Sequence, residues 1–208
     1  MRITIFLLAL LILFSVSSCI KQTPPVDLHT AVVTDNLEVI RQHVKAGSDL
    51  NIAEPTRQSS PLITAAAMNK IEAAKILIEA GADLNHKNAD GSTALHTAIV
   101  FGNSDLARIL INSGTDLNLQ NNDGSTALHL AVFFGHAEVV KALLAKDADR
   151  SIKNTRGHTA LETVQVPFET VKPVYDAIAT GLQPLGVTLD YERIKQARPE
   201  IAGLLKEE

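Results

Sequence analysis

The stretch "NNDGSTALHLAVFFGH", residues 121–136, holds Asp123, Ser125, Thr126, His129 and His136, the side chains from which a hydrolytic site is built. The chain, however, runs almost the same text at 88–103, "NADGSTALHTAIVFGN", displaced by 33 positions. A catalytic centre is needed once, whereas a repeating scaffold needs its joints many times, so the duplication favours scaffolding.

The period extends outward. Leu62, Leu95, Leu128 and Leu161 are each 33 apart, and Leu28 stands 34 before Leu62, which makes five units. A second motif keeps step: "GSDLN" at 47–51, "GADLN" at 81–85, "GTDLN" at 114–118 and a degraded "DADRS" at 147–151. Within a unit, Asp90-Gly91 and Asp123-Gly124 supply turns, and Thr93 or Thr126 then stands as N-cap before an apolar run. Ala127, Leu128, Ala131 and Val132 have helical spacing. Gly102 and Gly135 break the chain before a second helix, and Gly47, Gly81 and Gly114 close it, as a left-handed C′ residue does. Asp147 takes the glycine's place in the fourth unit, at an expected cost of up to about 1 kcal/mol.

Gly91-x-Thr93-x-Leu95-His96, Gly124-x-Thr126-x-Leu128-His129 and Gly81-Ala82-Asp83-Leu84-Asn85 resemble ankyrin repeats over about residues 26–182. The resemblance implies an all-α solenoid of about five helix-turn-helix units, with hairpin-like loops projecting to one side. It also implies that Thr93, His96, Thr126 and His129, and more weakly Thr159 and His29, hydrogen-bond within and between units. The family's usual proline at the helix start is kept only at Pro61, with Ala94, Ala127 and Ala160 elsewhere.

Other chemistry finds no seat. His129 and His136 are separated by a helix-breaking glycine, and no cysteine or carboxylate joins them at ligand spacing. No phosphate-binding glycine loop, nucleophile elbow or His-Glu-x-x-His helix occurs. The cluster Arg150, Lys153 and Arg156 has two readings, a binding site for phosphate or an acidic partner and a solvated rim, and three charges around a loop favour the rim. Neither catalysis nor a cofactor or metal is expected.

Positions that do not serve the stack remain for recognition. Val100-Phe101 and Phe133-Phe134 end their first helices at positions that the resemblance turns toward a concave face. Three of the chain's six phenylalanines are there, in a sequence without tryptophan, and grouped aromatics suit an interface hot spot. One member of each pair is expected to be buried and the other exposed. The loop tips extend this surface: Ala89, Asp90 and Ser92; Asn122, Asp123 and Ser125; Thr155, Arg156 and His158; and, in the second unit, Thr56, Arg57, Ser59 and Met68.

The N-terminus reads as an export signal: Arg2, an apolar run over 3–14, then Ser17 and Ser18 before Cys19. Cys19 is the only cysteine, so it forms no internal disulfide. Val16-Ser17-Ser18-Cys19 resembles the lipobox of bacterial lipoproteins, which implies lipid on Cys19 after cleavage. Ile20, rather than Asp, then points to the outer membrane facing the periplasm. Residues 19–25 read as a stiff tether reaching about 20–25 Å. Loss of Arg2 moves the formal charge from −4 to −5, a mixed acidic surface that gives no basis for nucleic-acid binding.

At the other end, Pro167 and Pro173 interrupt the fifth unit and Phe168 replaces its inter-helix glycine. Residues 183–208 are expected to form capping helices, with Tyr191, Ile194, Ala197, Ile201, Leu204 and Leu205 as their apolar stripe and Pro199 opening a new turn. The expected function is a monomeric, lipid-anchored, non-catalytic binder of another protein. Narrower versions are an immunity-type inhibitor of a toxic effector or an accessory of an envelope oxidoreductase.

Overall fold

Left-handed residues at fixed places in the repeat turn its text into antiparallel helix pairs. The computed structural model describes residues 24–206, and Cys19 with most of the tether lies outside them. Among the described residues there are eleven α-helices and no strand. They are α1 (Leu28–Val33), α2 (Leu37–Ala46), α3 (Pro61–Ala67), α4 (Ile71–Glu79), α5 (Ala94–Val100), α6 (Ser104–Asn112), α7 (Ala127–Phe133), α8 (Ala137–Leu144), α9 (Ala160–Gln165), α10 (Phe168–Leu182) and α11 (Tyr191–Leu204). No helix among them is long and apolar enough to cross a membrane.

Each inner helix starts at an oxygen-bearing cap: Asp27, Ser60, Thr93, Thr126 and Thr159. Thr93 and Thr126 form reciprocal capping boxes with His96 and His129, and Thr159 forms one with Glu162, so two orphan amides are satisfied at each start. Each inner helix except the last ends at a left-handed residue: Asp35, Asn69, Gly102 and Gly135. The outer helices are followed by another such set, Gly47, Gly81, Gly114 and Asp147, the last at φ 59° as the sequence requires.

The inner helices α1, α3, α5, α7 and α9 pack in one row and the outer helices α2, α4, α6 and α8 in a second. Neither row encloses a core alone; the interior lies between them and between successive units. Leu28, Leu62, Leu95 and Leu128 are buried there, each worth about 2–3 kcal/mol, while Leu161 in the terminal unit is half-buried. The motif that ends each unit forms a ladder, in which the Asn51, Asn85 and Asn118 carboxamides accept from the amides of Asp83, Asp116 and Asp149 at 2.8–3.0 Å. Ser151 replaces the next asparagine and turns back onto Asp149, so the ladder stops where the array does.

The fifth unit is split. In register with Asp35, Asn69, Gly102 and Gly135 the chain has Phe168, whose Cβ and ring disfavour left-handed geometry. The backbone instead leaves α9 extended through Val166 (φ −59°, ψ 130°) and Pro167 (φ −54°, ψ 137°). Helix α10 therefore joins neither row, and α11 takes the outer position of the fifth unit by packing against α8 and α9. Pro199 lies inside α11 rather than opening a new turn, and Pro173 lies inside α10.

The seat of α11 is specific. Ile194 and Ile201 are fully buried, and Leu205 is nearly so. The Arg193 guanidinium donates to the carbonyls of Gly135 (3.0 Å) and Phe134 (3.2 Å). Buried Arg198 donates to the carbonyls of Val164 (2.7 Å) and Val166, where the end of α9 concentrates partial negative charge.

Thr115 carries the one buried side-chain oxygen or nitrogen without a hydrogen bond among the described residues. Ala82 and Ala148 fill the same place in neighbouring units. Thr115→Ala should therefore raise stability by about 1 kcal/mol in urea unfolding, since it removes a desolvated hydroxyl and leaves a packed methyl.

Candidate functional site

The repeated Thr and His side chains are spent on the stack. The Thr93 amide donates to His96 Nδ1 (3.3 Å), which leaves the ring hydrogen on Nε2 to reach the Ser125 carbonyl of the next unit at 3.2 Å. Thr126, His129 and the His158 carbonyl repeat the arrangement at 3.3 and 3.0 Å. His29 also bridges units, through Ile52 O at 2.8 Å. With both nitrogens engaged and the rings of His96 and His129 buried, neither imidazole has a free lone pair for proton abstraction. Burial lowers the pKa of His96 to about 4 and also lowers that of His129.

His136 points the opposite way along the array, its Nε2 on Ile99 O at 3.0 Å, and burial lowers its pKa to about 4. Asn103 does the same job one unit earlier, donating to Ala66 O at 2.8 Å. His129 and His136 thus serve opposite neighbours. No group of three or more His, Cys, Asp or Glu side chains is placed to hold a metal ion among the described residues.

The loop tips are zipped by backbone hydrogen bonds. Ala89 N donates to Arg57 O (2.8 Å), Asn122 N to Asp90 O (3.0 Å) and Thr155 N to Asp123 O (3.0 Å). Gly91 and Gly124 are required at these crossings, because a Cβ there would stand 2.9 Å from Asn122 N and 2.7 Å from Thr155 N respectively. Ala89 and Asn122 are exposed at this seam, where Asn122 Nδ2 donates to Ala89 O at 2.9 Å. Arg57 and Asp90 pair across the outside at 3.0 Å, an exposed contact worth a few tenths of a kcal/mol.

Two clefts lie between the tips, the inner helices and α10. One, of about 860 Å³, takes Thr56, Arg57, Ser59, Met68, Asp90, Ser92, Val100 and Phe101 on one side and Ile178, Leu182 and Leu185 on the other. The other, of about 560 Å³, takes Val100, Asp123, Ser125, Phe133, Phe134, Thr155, Arg156 and His158 opposite Val171, Val174 and Ile178. All the candidate recognition residues except Ala89 and Asn122 line one cleft or the other.

Of the aromatic pairs, Phe134 is buried and Phe133 half-buried, while Val100 and Phe101 are both half-buried beside the end of α10. The Phe133 ring stacks on Tyr175 at 4.2 Å, and the Tyr175 hydroxyl donates to Phe133 O at 2.6 Å. Phe168 also stacks on Tyr175, at 5.5 Å. Sequence reasoning alone does not place the α10 residues on this surface. Their signal was the spacing of Phe168, Val171, Tyr175, Ile178 and Leu182, which Pro173 interrupts on paper but not in the helix.

Residues 28–121 match a family model described as ankyrin repeats (3 copies), and residues 110–164 match another described as ankyrin repeats (many copies). No curated relative matches the chain.

Proposed function

From the premise that the chain belongs to the ankyrin-repeat family, whose members are generally non-catalytic protein-interaction modules, we propose that it binds one protein partner through its concave face and loop tips. It does so as a monomer held by a lipid on Cys19 in a bacterial envelope, at the outer membrane facing the periplasm. The supporting observation is the pair of clefts. Their walls carry Met68, Phe101, Phe133 and Arg156, large or charged side chains that make no joint of the stack. The lipid rests on the sequence Val16-Ser17-Ser18-Cys19 alone.

Capture of partners from envelope fractions tests the binding reading. Met68→Ala with Phe101→Ala, and separately Arg156→Glu, should reduce recovery of the partner at least tenfold, in keeping with the few side chains that dominate an interface. Recovery unchanged by either variant refutes concave-face binding. Cys19→Ser should abolish palmitate incorporation and release the protein from the membrane fraction; continued labelling refutes the anchor.

A further inference from the structure

Helix α10 shows what its own seat accepts. Phe168, Val171, Tyr175, Ile178 and Leu182 follow one another at helical spacing and make one apolar stripe, with Glu169, Asp176 and Thr180 on the exposed side. That stripe faces the concave ends of the inner helices, stacking on Phe133 and standing across from Val100 and Phe101.

The seat is loose, and the array does not depend on it. Of the stripe only Tyr175 is fully buried, and open clefts of about 560 and 860 Å³ flank the helix. Beyond it Leu185 is 54% exposed. Tyr175 is the one buried core residue of α10, and the cluster shared by the two helix rows contains none of that helix and is closed at this end by α9 and α11. The segment is bounded by extended Val166 and Pro167 before it and by left-handed Gly186 (φ 76°) after it, where glycine leaves the backbone free to turn. Pro173 removes one backbone donor from the helix. Its polar ties lie toward the solvent edge except at Tyr175, which donates to Phe133 O and meets the Arg198 guanidinium; the others are Asp176 to the Tyr191 hydroxyl at 2.9 Å, an exposed Glu169–Lys195 pair at 3.4 Å, and Lys172 and Lys195 over the Tyr191 and Phe168 rings at 5.5 and 5.7 Å.

We propose that the concave face is a receptor for an amphipathic helix, that α10 occupies it in cis, and that the protein partner docks by presenting a helix with the same aromatic and aliphatic stripe once α10 swings out. This rests on the concave-face reading above. A tethered occupant acts at an effective concentration on the order of millimolar, so it screens out weak competitors and admits only partners whose stripe fits better. The apparent affinity of any competitor is reduced by the fraction of molecules with α10 docked.

The probe is a fluorescent peptide of residues 167–186, followed by anisotropy on the full chain. Tyr175→Ala with Ile178→Asp, which weaken the cis helix, should tighten peptide binding at least tenfold relative to the unaltered chain. Adding Phe101→Ala and Phe133→Ala should return it to the starting value. Equal affinity before and after release, or binding that survives the two phenylalanine changes, overturns the proposal. Hydrogen exchange on the unaltered chain supplies a readout that needs no variant. Amides of 168–182 should exchange at least a hundredfold faster than those of α8 and α11, and equal protection overturns the cis-release step. The two readings fail separately. Peptide binding with partner capture indifferent to Phe101 leaves the cis receptor and removes the partner reading. Capture that depends on Phe101, with no peptide binding after release, does the reverse.

Discussion

Lowering the pH from 7 to 4 is expected to remove about 5 kcal/mol from the stability of the array, most of it through two imidazoles. His96 and His136 each have a pKa of about 4 in the fold against an ordinary 6.5; burial is the main cause in both, and the Arg193 charge adds to it at His136. A depressed histidine pKa means that the unfolded chain takes up a proton the folded one refuses. The stability is complete above pH 6.5 and is lost as the pH falls toward 4. The shift corresponds to about 3 kcal/mol at His96 and somewhat less at half-buried His136, and His129 adds in the same direction. The repeat itself supplies the control. Asn103 makes the His136 contact without a titrating group, so His136→Asn should keep most of the stability at pH 7 and lose about 2 kcal/mol less by pH 4. Urea unfolding followed by circular dichroism at pH 7, 5.5 and 4 measures both. A midpoint that does not move with pH would show that these rings are not held neutral by the joints described.

The joints were legible because they recur. Thr93 and Thr126 announce helix starts by chemistry that works locally, and Asp147 could be assigned left-handed geometry because Gly47, Gly81 and Gly114 occupy the same place. What depends on a single copy was harder to read. Phe168 was visible as a missing glycine, but its consequence was not: losing one left-handed turn redirects α10 out of the array and leaves the outer position to a helix that starts only at Tyr191. The apolar stripe of α11 could be found, but not its neighbour, because a half-buried stripe has no address in sequence. Likewise the clefts have no local signal, since Phe101 and Ile178 come to line one cleft only after the chain has doubled back.

Two chemically identical substitutions, Gly102→Ala and Gly135→Ala, should have very different effects. Both residues are left-handed, at φ 73° and 69°, so each alanine carries about 1–2 kcal/mol of backbone strain. At Gly102 little else follows, because the new Cβ would find only His136 Cε1 at 3.9 Å, an ordinary contact. At Gly135 the Cβ would stand 3.0 Å from Ile194 Cα and 3.5 Å from Ile194 O, main-chain atoms of α11 that no rotamer change can move. Helix α11 has to retreat, which loosens the buried Ile194 and Ile201 and lengthens the Arg193 bonds to Gly135 and Phe134. Overpacking of that kind adds about 1–3 kcal/mol, so Gly135→Ala should cost about 2–5 kcal/mol in all against about 1–2 for Gly102→Ala. Urea unfolding gives the totals, and hydrogen exchange locates the difference: faster exchange in α11 for Gly135→Ala alone. Equal losses, with α11 protected in both, would mean that this helix does not sit on the α7–α8 turn, and the fifth unit would need another outer wall.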